Sequence, residues 1–447
     1  MPPIPLSRRA FLTRSALIGC SAAASPLITP LSWAAAPWDT RLVVIVLRGG
    51  MDGLDLLRPY GDPDYAGLRP DLGGGPAQGA HDLDGFFALH PALERLMPLW
   101  QAGDLGFMHA VSTPYRDKRS HFDGQDILEA GLAQPAPGKG GWLNRLLQAV
   151  PGVEAQTAFA LGQDDMKILA GPAPVANWTP DATLALSPQA LRLAGLVMAE
   201  DPAFAQAYEE ALRLSDGGLA AYEPAGIGAE PAADRAGGDA GDDRGGDRGG
   251  DRGGDPGDDR GGDRGGDGGG APGMALPRAA RGRADLRLAE FAAEQLRGDA
   301  RIVSFSINGW DTHNRQAVSM TRALERFADT LLALRDGLGR KVWDRTAIVA
   351  MTEFGRTARQ NGTLGTDHGT GGAMVLAGGA IAGGRVLGRW PGLSEAALYQ
   401  RRDLMPTGDV RAGAAWLLRG ATGLERAVLE GAVFPGLDMG DDPGLMR

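Results

Sequence analysis

Residues 42–47, Leu-Val-Val-Ile-Val-Leu, form an unbroken run of apolar, mostly β-branched side chains. Such a run has no polar face, so as a strand it must be covered on both sides, as in a parallel or mixed sheet flanked by helices. Further β-rich runs lie at 105–111, 301–307, 346–352 and 373–377. Helical patterns lie between them at 91–102, 142–150, 188–198, 284–297 and 317–338; in the first, Leu93, Leu96, Met97 and Trp100 share a face. Strands alternating with helices predict an α/β fold.

The alternation is interrupted once. Residues 239–270 contain 15 Gly, 10 Asp and 5 Arg, with Asp-Arg-Gly-Gly occurring five times. A segment with nothing apolar larger than Ala or Pro cannot offset its ordering entropy by burial. Calcium-binding glycine repeats have a nine-residue period and an apolar anchor; this run has a period of four and no anchor. We expect 216–277 to be a disordered insert carried by a single α/β domain comprising 37–215 and 278–447.

The first 36 residues read as an export signal: Ser7-Arg8-Arg9-Ala10-Phe11-Leu12, a weakly apolar stretch, then Ala34-Ala35-Ala36. The Arg pair followed by Phe-Leu is the twin-arginine form, which exports folded proteins. A periplasmic or secreted location is expected, with lipid anchoring at Cys20 as the alternative. Cys20 is the only cysteine, so a cleaved chain would carry no thiol, which suits an oxidising compartment. The formal net charge of −10 argues against a nucleic-acid partner. No apolar run after the leader is long enough to span a bilayer.

In open α/β sheets ligands collect at the carboxyl ends of strands. There the sequence places Arg48 through Asp52, Asn308 through His313, Glu353 with Arg356, and Ser120 beside His121. Asp367 and His368 precede the 373–377 run. Four of the six His (His109, His121, His313 and His368) fall in or beside these segments. Asp311 and His313, two apart, point to one side of an extended chain and suit a shared cation. Asp367 and His368 are adjacent, so at most one ligates directly while the other supports it. Each pair could equally be a plain hydrogen-bonded contact. Glu353 and Arg356 are near neighbours if the chain is helical there, which suits a simple ion pair. Ser120 with Asp123 suits a helix cap, although a Ser at a helix N-terminus is also placed to meet an anionic group. Carboxylates and imidazoles converging on one edge would be relieved by a divalent cation.

At these residues the chain resembles the twin-arginine-exported family catalogued as domain of unknown function 1501. The matching segments are the leader, LVVIVLRGGMDGLDLLRPYGD from Leu42, LHPALERLMPLWQAGDLGFMHAV from Leu89, RSHFDGQD from Arg119, GWLNRLL from Gly141, NGWDTHNRQ from Asn308, TEFGRT from Thr352 and GTDHGTGGAMVLAGGAIAGGRVLGRWPGL from Gly365. That family is similar to the alkaline phosphatase and sulfatase superfamily. The similarity implies a three-layer α/β/α sandwich, with a mostly parallel or mixed sheet, that hydrolyses phosphate or sulfate esters with a divalent metal (zinc, manganese or calcium). Under it, the metal ligands are expected among Asp52, Asp311, His313, Glu353, Asp367 and His368. Ser120 is the expected nucleophile, and Arg356 or Arg48 the clamp for the anion. The departures are that Arg48, not an acid, directly follows the first strand, and that Phe354 stands where a second His is usual. The substrate expected is a small anionic ester or an envelope polymer. The alternative is a catalytically inactive relative acting as an envelope binding or assembly protein, with a secreted partner.

Overall fold

The computed structural model describes residues 38–116, 119–136, 138–162, 166–180 and 278–447. The expected leader, the 188–198 helix and the 216–277 insert lie outside the described residues. Apart from Arg278, the described residues belong to one compact unit built from both sides of 183–278.

The strands are β1 (Arg41–Arg48), β2 (Leu57–Arg58), β3 (His81–Asp82), β4 (Ala88–Leu89), β5 (Leu105–Ser112), β6 (Ala158–Leu161), β7 (Ala176–Trp178), β8 (Ile302–Asn308), β9 (Thr346–Met351), β10 (Gly372–Ala377), β11 (Val386–Leu387) and β12 (Gly408–Asp409). Nine of them form one sheet in the order β11-β5-β10-β9-β1-β8-β6-β7, with β12 also on β5, while β2, β4 and β3 form a small separate sheet. β10 is antiparallel to both its neighbours, β5 and β9, and every other pairing in the large sheet is parallel. The fold is therefore α/β with a mixed, mostly parallel sheet in which one strand is reversed.

β1 sits between β8 and β9, and its residues 42–47 are at most 1 % exposed on both faces. Burying each such side chain contributes roughly 1.5–3 kcal/mol relative to exposure. Leu42, Val44 and Val46 pack in one cluster with Trp142 and Leu146 of the helix Trp142–Ala149 and with Leu417 and Leu418 of the helix Val410–Thr422. The helix expected over 91–102 is split into a 3₁₀ turn, Pro91–Leu96, and an α-helix, Met97–Ala102. Pro98 lacks the N–H that a continuous helix would need. The 317–338 pattern becomes the longer helix Gln316–Trp343, which breaks its helical geometry at Gly339.

Candidate metal centre

The sheet order determines which loops can meet. β1, β5, β8 and β9 run in one direction and deliver the residues that follow them to one edge. Because β10 runs the other way, the residues that precede it reach that same edge. Asp311 and His313 arrive after β8, Glu353 and Arg356 after β9, and Asp367 and His368 before β10. His121 arrives after β5, as the first residue of the helix His121–Ala130.

His121, Asp311 and His368 each offer a ligand atom, and the three atoms lie within 4.8 Å of one another. Asp311 Oδ2 is 3.6 Å from His121 Nε2, and its Oδ1 is 3.3 Å from His368 Nε2. His313 Nε2 stands beside them, 3.1 Å from Asp311 Oδ1 and 3.0 Å from His368 Nε2. The outer ring nitrogens face acceptors. His121 Nδ1 donates to Glu353 Oε1 at 2.8 Å, His368 Nδ1 to the Arg119 carbonyl at 3.0 Å, and His313 Nδ1 lies 3.3 Å from Asp367 Oδ1. With Nδ1 facing an acceptor, each ring in its neutral form would turn an Nε2 lone pair toward the centre.

That arrangement is unfavourable without a cation. Two Nε2 lone pairs 3.0 Å apart repel unless a proton or a metal lies between them. His121 Nε2 is buried and has no hydrogen-bond partner among the described residues, since 3.6 Å to Asp311 is too long for one. Burial disfavours a charged His121, but the Asp311 and Glu353 carboxylates outweigh it and raise its pKa to about 9. Asp311 is held far below the usual carboxylate range: burial opposes this, and His121, His368 and Arg356 prevail. Imidazole and carboxylate donors with their lone pairs turned inward and their second nitrogens fixed fit a divalent ion. Half of the Asp311 side chain is exposed, so the centre opens to solvent.

Of the residues expected to ligate, Asp311 and His368 are brought together in the cluster, and His313 stands at its rim. Glu353 is fully buried and lies behind His121. Its Oε1 also accepts from Gly49 N at 2.9 Å and from Gln125 Nε2 at 3.2 Å, so it orients the imidazole from outside the ligand set. Asp367 holds His313 and accepts from Asn361 Nδ2 at 3.0 Å. Asp52 is placed elsewhere. It caps the helix Gly53–Leu56, and its Oδ2 takes Arg69 Nη1 and Gln316 Nε2, each at 2.7 Å. His121 is the candidate ligand that sequence reasoning missed. The one signal available was its position directly after the capping Ser120, beside a strand end.

The catalytic expectations are placed as follows. Ser120 caps the His121–Ala130 helix, its Oγ accepting from Asp123 N at 3.4 Å. Arg119 just before it holds a left-handed backbone (φ 53°), a strained conformation that aims its carbonyl at His368. Arg48 pairs with Glu129 at 2.8 Å and donates to Gln125 at 2.8 Å. Arg356 does not pair with Glu353, because the backbone there is not helical. It is fully buried and donates to the carbonyls of Gly49, Gly50, Trp310 and Thr366 and to Asp311. The Phe354 ring lies 5.0 Å from the rings of both His121 and His368 and forms an apolar wall.

Gln316 joins the two ligand-bearing loops. Its Oε1 accepts from Thr312 Oγ1 at 2.9 Å and from Thr366 Oγ1 at 2.6 Å. Its Nε2 donates to Asp52 and Asp55 at 2.7 and 2.9 Å. Thr312 lies between Asp311 and His313, and Thr366 is two residues before His368. The amide is therefore fully used, with both lone pairs and both N–H groups engaged.

Among the described residues no helix is long and apolar enough to cross a membrane. No curated protein matches the chain. The family model described as "Protein of unknown function (DUF1501)" matches residues 110–415, a span that includes His121, Asp311, His313, Glu353 and His368 and leaves out β1 and Asp52. The chain belongs to the DUF1501 family.

Proposed function

We propose that the chain is an exported, metal-dependent hydrolase of phosphate or sulfate esters on an alkaline-phosphatase-like three-layer sandwich. The observation that carries this reading is the convergence of His121 Nε2, His368 Nε2 and the Asp311 carboxylate, with each ring fixed through its Nδ1. The burial of β1 on both faces supports the layered architecture. His121, Asp311 and His368 would hold the ion, with His313 at its side. The two imidazole donors favour zinc and the carboxylate admits manganese, whereas calcium takes oxygen ligands alone. A bound divalent ion supplies Lewis-acid polarisation of the ester oxygen.

The protein's own groups provide the positioning. Glu353 and the Arg119 carbonyl keep the two imidazoles in the ligating tautomer. Arg356 locks Asp311 and is fully buried among loop carbonyls, which keeps it from clamping a substrate. Phe354 excludes water from one side. Ser120, adjoining His121 at the helix N-terminus, is the hydroxyl we assign as nucleophile. The test is metal analysis of the purified protein together with hydrolysis of p-nitrophenyl phosphate and p-nitrophenyl sulfate under added zinc, manganese or calcium. The absence of a stoichiometric ion, with both esters intact under every metal, defeats the proposal.

One observation favours a second reading. Both arginines expected to clamp the anion are committed to internal partners, Arg356 to loop carbonyls and Arg48 to Glu129. A metal-bound but catalytically inactive protein that binds an envelope polymer or a secreted partner fits that commitment. Stoichiometric metal without turnover, together with co-purification of a secreted protein, selects it.

A further inference from the structure

We infer that the ester handled at this centre carries a saccharide, seated in the cavity lined by the helix residues that follow His121. The inference rests on the hydrolase reading and names its substrate class. In the helix His121–Ala130, His121 and Gln125 are one turn apart and both reach Glu353 Oε1. The neighbouring face carries Phe122, Gln125, Asp126 and Glu129 at helical spacing. These four residues line a cavity of about 770 Å³ together with Arg48, Lys139 and Lys167. The first turn is thus shared, with His121 facing the ligand cluster and Phe122 the cavity. Gln125 bridges the two, donating to Glu353 at 3.2 Å and accepting from Arg48 at 2.8 Å.

The lining indicates the occupant. Phe122 is 85 % exposed, a bare aromatic face among charged groups. Arg48 pairs with Glu129 and Lys167 with Asp126, each at 2.8 Å, so most of the charge cancels internally. The Lys139 ammonium has no partner among the described residues. A sugar ring meets both halves of this lining. Its C–H face stacks on the aromatic ring, while its hydroxyls donate to Asp126 and accept from Lys139 and Gln125. An apolar aromatic group would cover the charged wall without satisfying it, at a desolvation cost. The phosphate or sulfate on the sugar then lies toward His121, where the helix N-terminus adds positive potential.

The test compares three non-hydrolysable probes that share a phosphonate: glucose 6-phosphonate, phenylphosphonate and methylphosphonate. Each is titrated calorimetrically into the full chain with manganese, and into its Phe122→Ala and Lys139→Ala variants. Glucose 6-phosphonate is expected to bind about tenfold or more tighter than methylphosphonate, with phenylphosphonate well below it. Each variant is expected to bring the glucose-to-methyl affinity ratio close to one. A wild-type ratio near one, a phenyl probe that matches the glucose probe, or variants that keep the ratio all overturn the inference while leaving the hydrolase reading intact. Failure to bind both manganese and methylphosphonate overturns the hydrolase reading itself, and the inference falls with it.

Discussion

Replacing Arg356 by Lys tests whether this one side chain holds the centre together. The guanidinium is fully buried and serves five acceptors: the carbonyls of Gly49, Gly50, Trp310 and Thr366, and the Asp311 carboxylate. These acceptors come from the segments after β1, after β8 and before β10. Lysine keeps the charge but offers three donors from a single nitrogen, so at least two acceptors lose their partner. Each unpaired buried acceptor costs about 1–3 kcal/mol, so the substitution should cost roughly 2–6 kcal/mol. That is a large fraction of a typical unfolding free energy of about 5–15 kcal/mol. Urea unfolding with chelator present should show a lower midpoint at unchanged slope. Affinity for zinc or manganese, titrated separately, should fall because Asp311 loses its rigid partner. A destabilisation under about 1 kcal/mol with unchanged metal affinity would show that the guanidinium fork is not what fixes these loops.

Gln316→Leu should loosen the 311–313 and 366–368 segments together and weaken metal binding by about 10–100-fold, read by competition with a chromophoric chelator; an unchanged affinity would remove Gln316 from the positioning role. Chelator should lower the thermal midpoint, and restoring zinc or manganese at about 1,000 times its dissociation constant should return about 4 kcal/mol; a midpoint indifferent to both argues against a resident ion. Burial lowers the pKa of His90 and His109 to about 4, and the His90 Nδ1 accepts from Ala92 N at 3.1 Å, which requires the neutral ring. Because the unfolded chain binds these protons more readily, the stability they confer is complete above about pH 6.5 and is lost as pH falls toward 4, on the order of 2–3 kcal/mol for each. His109→Phe should flatten part of that acid slope in midpoint-against-pH measurements, and an identical slope would show that the buried ring is not responsible.

The five longest strands were legible because a strand buried on both faces has to be written in apolar residues, as 42–47 is. Ala158–Leu161 and Ala176–Trp178 were not, since runs of four and three residues carry no usable period; the first owes its place to β8 and the second to the first. Asp311, His313 and His368 could be found from strand ends alone, because only a few residues of chain separate each from its strand. Asp52 drew attention for the same reason, yet the chain after Gly49 turns into a short helix, and the carboxylate caps it. His121 depends on a relation the local sequence does not contain. It meets Glu353 across 232 residues, and only because β10 lies between β5 and β9. The Glu353 and Arg356 spacing suggested a mutual pair, but each partner is supplied by another loop, His121 for one and Asp311 for the other.

The reversal of β10 also bears on when the centre can exist during biosynthesis. Of the three candidate ligands His368 is the last to leave the ribosome, and the strand that follows it, β10, has to pair between two strands made earlier before His368 is placed beside His121. Until then an ion would meet little more than Asp311 and His313, two residues apart in the chain. Strand insertion between distant partners is a slow, non-local step. An ion held at this centre would then be selected in the compartment where β10 is placed, and a chain that folds before crossing a membrane would take it from the side it leaves.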